Sequence, residues 1–252
     1  MELGLDGRMF VVCGGSKGLG RAVAGELVAE GARVLVVSRE PDAAARELGE
    51  RAIPCAADLG TVAGVDAVVE AAAGLGGLDG VLVNGGGPPF GNALDLSDDE
   101  WEGAFRTLVG NPIRLLRGLR PQLRSGASIL FITSSSVRVP IPGLDTSNVL
   151  RPGVAALVKC LAIALGPAVR VNSLAPGRID TERVRFLDET RAERTGSMVD
   201  AVRERNAALI PLGRYGEPAE LGRVAAFLLS SAASYISGAA IQVDGAYVTA
   251  IP

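Results

Sequence analysis

An α/β fold built on a mostly parallel sheet is predicted by two features of the 252-residue chain. Short apolar runs alternate with longer segments of helical periodicity from one end to the other, and the short runs are apolar on both faces. A strand with one wet face would alternate apolar with polar residues, whereas one covered by helices on both sides reads as a continuous apolar run. Strands are predicted at residues 9–13, 33–37, 52–56, 80–83, 128–133, 170–173 and 239–243. The clearest helices have apolar residues at i, i+3, i+4 and i+7 over 19–30, closed by Gly31, and over 62–75, closed by Gly76. No Pro/Gly/Ser-rich linker interrupts the alternation. The whole chain, 1–252, is therefore read as one doubly wound domain of about seven strands with helices on both faces.

Composition narrows the function. With 48% hydrophobic residues, 21% charged residues and a net charge of −3, the chain is neither disordered nor basic enough to present a nucleic-acid face. The longest apolar run, 154–165, is interrupted by Lys159 and is shorter than the roughly 20 residues a membrane span requires. Residues 1–8 show no basic stretch followed by an apolar one, so no secretory leader is expected. Cys13, Cys55 and Cys160 fit neither a disulfide framework nor a zinc site. A cytoplasmic protein with neither membrane nor nucleic-acid partners is expected. The chain has no histidine, which excludes Ser-His-Asp and Cys-His catalysis. Proton transfer is left to tyrosine, carboxylates, lysine, cysteine or water, and there are only three tyrosines and two lysines, Lys17 and Lys159.

The first predicted strand runs into Cys13-Gly-Gly-Ser-Lys-Gly-Leu-Gly20, and a helix follows at once. Gly14, Gly18 and Gly20 let the backbone turn sharply and approach a pyrophosphate, towards which the amides at the start of the helix point. This strand–turn–helix context predicts a dinucleotide held by Gly14, Ser16, Lys17, Gly18, Leu19 and Gly20. At the end of the second strand an NAD site places a carboxylate for the ribose 2′-hydroxyl. Here the chain reads Ser38-Arg39, and Lys17 adds a second cation, so NADP(H) is the expected cofactor. One segment breaks the rhythm: residues 178–206 carry seven arginines against seven carboxylates and contain no strand. A lid-like insertion over the ligand crevice is expected at about 178–210.

Over nearly its whole length the chain resembles the short-chain dehydrogenase/reductase family. The glycine loop matches that family's TGxxxGxG pattern with Cys13 in the threonine place, and Asp58-Leu59 stands where the family has an acidic residue near the adenine. Asn84-Gly85-Gly86-Gly87 is similar to the Asn-Asn-Ala-Gly element after the fourth strand. The segment Asn172 to Thr181, with Pro176, Gly177 and Ile179, is similar to the turn that holds the nicotinamide end, and residues 237–245 resemble the last strand and its exit. Length and C-terminal pattern are those of 3-oxoacyl-carrier-protein reductase-like members. The resemblance implies a Rossmann-type fold, hydride transfer between NADP(H) and a small carbonyl or alcohol, and a homo-oligomer, a tetramer or dimer.

The likeness fails at the catalytic centre. The family's serine is followed by a tyrosine after thirteen residues and a lysine after four more; counted from Ser134, those places hold Ser147 and Arg151. The family's helix asparagine falls near Leu108. No tyrosine occurs before Tyr215, so the loss is not a slip of alignment. An alkyl hydroxyl ionises close to where water does, far above the value of about 10 for tyrosine, and is no substitute acid. Ser134 and Arg151 polarising a carbonyl while water supplies the proton would still allow reduction, at a cost of about 10² to 10⁴ in rate. Pro152 either kinks the helix carrying Ser147 and Arg151 or starts it, leaving both on a loop. Asp145 is expected as an N-cap, Tyr215 and Tyr235 as packing residues, Lys159 on a helix exterior, and Tyr247 as a long-range candidate in an oligomer. Arg114, Arg117, Arg120 and Arg124 form a helical stripe, read as a solvated face in preference to a docking strip for an acidic carrier. Residues 88–90, 137–144 and the lid would form the substrate pocket. The main reading is thus an atypical NADP(H)-dependent reductase. The alternatives are a cofactor-binding sensor or non-catalytic subunit and, less supported, a non-redox enzyme similar to the halohydrin dehalogenases.

Overall fold

Successive residues of a strand face opposite sides of a sheet, and here both sides are apolar. Val11 packs into one hydrophobic cluster and Val12 into the other, and Ile129 and Leu130 divide in the same way. The computed structural model describes residues 2–250. Its strands are β1 (Met9–Cys13), β2 (Arg33–Ser38), β3 (Ala52–Ala56), β4 (Leu78–Val83), β5 (Leu123–Ile132), β6 (Val169–Pro176) and β7 (Ala240–Val243). They form one sheet in the order β3-β2-β1-β4-β5-β6-β7, every neighbouring pair parallel. Pro54 lies in β3, the edge strand, where a missing ladder donor is tolerated.

On one face the sheet is covered by α3 (Val62–Ala73), α5 (Asn111–Leu119) and α6 (Asp145–Leu165), through Val65, Val68, Leu115, Leu119, Val154 and Val158. On the other lie α1 (Gly18–Ala29) and α9 (Pro218–Leu229), through Val23, Leu27, Leu221 and Leu228. Leu27, Leu221 and Leu228 are fully buried, and each such side chain contributes about 1.5–3 kcal/mol. The remaining helices are α2 (Asp42–Leu48), α4 (Asp98–Phe105), α7 (Glu182–Thr195) and α8 (Val199–Ala208), and a π-helical turn, Arg106–Gly110, joins α4 to α5.

Strand ends differ from the sequence expectation where charge or turn residues hide them. β4 begins at Leu78 because buried Asp79, which breaks the apolar run, is neutralised by Arg8 and Arg124 and accepts from the Met9 amide at 2.8 Å. β5 begins at Leu123, five residues early, across a register irregularity opposite Leu78 and Gly80. β6 runs on to Pro176, which pairs with Val243.

Candidate active site

Chain order reverses between β1 and β4, so the connections leaving their carboxyl ends diverge and open a crevice. The cleft there holds about 1100 Å³. Gly14 and Gly18 take left-handed backbone, φ +63° and +54°. A Cβ on Gly20 would stand 2.1 Å from the Gly14 carbonyl oxygen, and one on Gly14 would stand 2.7 Å from Asn84 Nδ2. The loop therefore lies flush against α1 and the end of β4. Lys17, the N-cap of α1, makes no side-chain capping bond, which leaves the first amides of the helix open to an anion. Gly14, Ser16, Lys17, Gly18 and Leu19 line the cleft. Gly20 is not among its lining residues; it is the packing glycine behind the loop, in place of the expected ligand contact.

Ser38 and Arg39 line the same cleft. The Ser38 hydroxyl is buried and has no hydrogen-bond partner among the described residues, so it is Arg39 that offers a charge to the cleft at this strand end. Lys17 stands 3.7 Å from Glu182 at the start of α7, an exposed pair of little strength. Asp58 accepts from the Gly60 amide at 2.9 Å, and the Leu59 carbonyl accepts from Asn111 Nδ2 at 2.7 Å, fixing the loop after β3 at the cleft. Asn84, Gly85 and Gly86 follow β4, Pro176 ends β6, and Gly177, Ile179 and Thr181 follow it, all on the cleft. Thr181 Oγ1 accepts from the Val184 amide and caps α7. The uncapped helix start, the glycine cradle and Arg39 on the cleft together fit a phosphorylated dinucleotide.

At the other end of the cleft stand Ser134, Ser147 and Arg151. α6 runs without a break through Pro152, so Ser147 and Arg151 lie one turn apart on the same face. The proline removes the bond that the Asn148 carbonyl would otherwise accept within the helix. Ser134 Oγ accepts from the Ser136 amide at 3.1 Å. The buried Ser147 hydroxyl lies 3.0 Å from that of Ser136. Arg151 Nη1 donates to the Ile132 and Thr133 carbonyls, each at 2.8 Å. Burial first, and then repulsion from the nearby Arg183, draw the Arg151 pKa down to about 10.

Several expectations are revised. Asp145 is not the N-cap: Leu144 is, and the Asp145 carboxylate accepts from the Ala93 amide at 2.8 Å and from Asn148 Nδ2 at 3.1 Å. Leu108 is buried in the π-helical turn, and its neighbour Thr107 reaches the cleft. Tyr215 donates to Asp188 at 3.0 Å, but Tyr235 is fully exposed and packs against nothing. The arginine stripe is split, with Arg114 paired to Asp66 and Arg124 to Asp79. Tyr247 lines the cleft within its own chain, because Gly245 and Ala246 take φ +63° and +67° and Asp244 holds the turn through the Ala246 and Val248 amides. Sequence reasoning missed Arg183 and Thr107, whose only signal was proximity to Thr181 and to the family's asparagine place.

A parallel α/β sheet with a glycine cradle at its switch point defines a dinucleotide-binding protein of the doubly wound class. A family profile described as Enoyl-(Acyl carrier protein) reductase matches residues 14–247. The chain belongs to the short-chain dehydrogenase/reductase family of oxidoreductases. It is 32% identical to versicolorin reductase from Emericella nidulans, over 96% of both chains, and 31% identical to dehydrogenase/reductase SDR family member 4 from Sus scrofa, over 96% of this chain and 87% of that one. Among solved structures it superposes on L-sorbose reductase from Gluconobacter frateurii, complexed with NADPH and L-sorbose, with a TM-score of 0.94 and 30% identity over all of both chains. The 3-ketoacyl-(acyl-carrier-protein) reductase from Brucella melitensis, complexed with NADH, gives 0.83 and 30% over 96% of this chain and 99% of that one.

Proposed function

We propose that the protein is an NADP(H)-dependent oxidoreductase of the carbonyl or 3-oxoacyl reductase type with a non-standard catalytic centre. The observation that carries this reading is the convergence of the glycine cradle and Arg39 with Ser134 and Arg151 in one cleft. The two solved relatives above hold different nicotinamide cofactors, so the preference rests on this chain's own Ser38, Arg39 and Lys17. A bound NADP(H) supplies or takes up hydride at the substrate carbon. Ser134 and the free Nε and Nη2 of Arg151 orient the carbonyl and polarise it, and Arg151 stabilises the developing negative charge on oxygen. Water delivers the proton, because the family's tyrosine and lysine places hold Ser147 and Arg151. Helices α7 and α8 serve as a lid over this end. A cytoplasmic homo-oligomer is part of the same reading, supported by the exposed Val149 and Ile163 on the outer face of α6.

One observation favours a second reading, cofactor binding without turnover: the Ser147 hydroxyl is committed to Ser136. NADPH oxidation against ketones and 3-oxoacyl thioesters, with the Ser147→Tyr/Arg151→Lys double variant run beside the native protein, separates the two. Native turnover above the level of a cofactor-site knockout purified in parallel is expected. Turnover by the double variant alone would replace the enzyme reading with the sensor or subunit.

A further inference from the structure

Two guanidinium groups without acidic partners face the substrate end of the cleft. Arg151 bonds only to the Ile132 and Thr133 carbonyls, and Arg183 donates Nη2 to the Pro88 carbonyl at 2.9 Å. Neither forms a salt bridge among the described residues. Of the other charged residues lining the cleft here, Arg178 pairs with Asp188 at 2.9 Å and Glu182 with Lys17 at 3.7 Å, while Arg194 lies over the Phe90 ring at 4.7 Å, outside the lining. Partial burial draws the Arg183 pKa down, and its charge in turn lowers that of Arg151. Arg183 also sits in the first turn of α7, where the helix dipole favours carboxylates and opposes a cation. Its position is nevertheless fixed: it lies over Gly87, where a Cβ would meet its Nε at 2.8 Å, and near the Phe186 ring at 5.7 Å. The phosphates of a dinucleotide are accounted for elsewhere, by the glycine loop and by Ser38 with Arg39. What remains is a pair of mutually repelling cations beside Ile141, Leu144 and Leu187, side chains that lower the local dielectric.

We infer that the substrate is an oxo acid, whose carboxylate is received by Arg183 while its carbonyl lies between Ser134 and Arg151. A planar carboxylate matches the fork of a guanidinium and neutralises the field of both. This inference rests on the reductase reading, and its test separates the two. Pyruvate, acetoacetate and levulinate would each be compared with the corresponding methyl ester, for NADPH oxidation and for the thermal shift of the NADP⁺ complex. The expected result is at least one acid used tenfold or more better in kcat/KM than its ester. Arg183→Gln should bring acid down to ester, Arg183→Lys should keep part of the preference, and the NADPH Kd should stay within twofold in both. Esters used as well as acids in every pair, a preference surviving in Arg183→Gln, or NADPH binding lost in parallel with the acid would each overturn the inference. If no ketone turns over although NADPH binds, the reductase reading fails, and the inference is decided by the thermal shift. An oxo acid that stabilises the native complex and not Arg183→Gln upholds the carboxylate site at Arg183 without the turnover; no shift from any acid overturns it.

Discussion

Arg39→Asp reverses the charge at the end of β2, where the proposed NADP(H) preference places the ribose 2′-phosphate. Each charge-assisted hydrogen bond lost is worth about 1.5–3 kcal/mol. NADPH affinity should therefore fall about 10- to 100-fold while NADH affinity holds or rises, as read by titration of cofactor fluorescence. An unchanged NADPH Kd would remove Arg39 from the site. Residues of this kind are legible in sequence because a backbone turn fixes where they point: Ser38, Arg39 and the glycines sit at strand ends, and a strand end in a parallel sheet has one place to face. Ser147 and Arg151 were legible for a related reason, their separation by one helical turn. Arg183 and Tyr247 were not. Which way Arg183 points depends on how α7 docks, and Tyr247 reaches the cleft only through the left-handed pair Gly245 and Ala246, which no periodicity announces.

The helices carry two further tests. Pro152 interrupts the hydrogen-bond ladder of α6 directly after Arg151. An interior proline costs a helix about 3 kcal/mol relative to alanine. Pro152→Ala should therefore raise the melting temperature, by a part of that cost, because the surrounding structure already accommodates the ring. A lower melting temperature would show that the distortion is required for packing. At the start of α9, Glu220 bonds the Glu217 amide at 2.7 Å and pairs with Arg214 through both oxygens, and these contacts hold its carboxyl at about 2. A carboxylate with a lowered folded-state pKa contributes stability above its unfolded value, near 4.5, and loses it as pH falls through about 2. The gap in melting temperature between native and Glu220→Gln should be full at pH 7 and close between pH 4.5 and 2; a gap independent of pH would mean the cap acts without its charge. The strands were legible to within a few residues except at the start of β5, five residues early across a register irregularity, and the two residues missed at β4 reflect Asp79, a buried charge that relies on partners far away in sequence, Arg8 and Arg124.

Across the whole molecule the two apolar layers secure the sheet, but α7 and α8 share little of them, and their attachment is polar. Asp188, 1% exposed, accepts from Arg178 at 2.9 Å, Asn206 at 2.9 Å and Tyr215 at 3.0 Å, and Arg203 stands 3.5 Å away. One carboxylate thus joins α7, α8 and the segments after β6 and before α9. The stretch carries seven arginines against seven carboxylates, but a balanced count does not say which acid is the buried hub; only the fold, by bringing Arg178, Arg203, Asn206 and Tyr215 around one side chain, does. Asp188→Asn keeps the volume and removes the charge, leaving Arg178 without its acid and Arg203 paired with Asp180 alone, a loss of up to about 3–5 kcal/mol for a broken buried pair. That loss belongs to α7 and α8 and not to the sheet. Amide exchange should accelerate over 182–208 while β1, β4 and β5 stay protected. The KM for a carbonyl substrate should rise, since α7 carries Arg183 and Leu187 to the cleft, and NADPH affinity should change far less because its cradle is built from β1, α1 and β2. Uniform acceleration across the sheet would instead show that the polar hub and the apolar layers form one cooperative unit, and that α7 and α8 cannot open as a lid on their own.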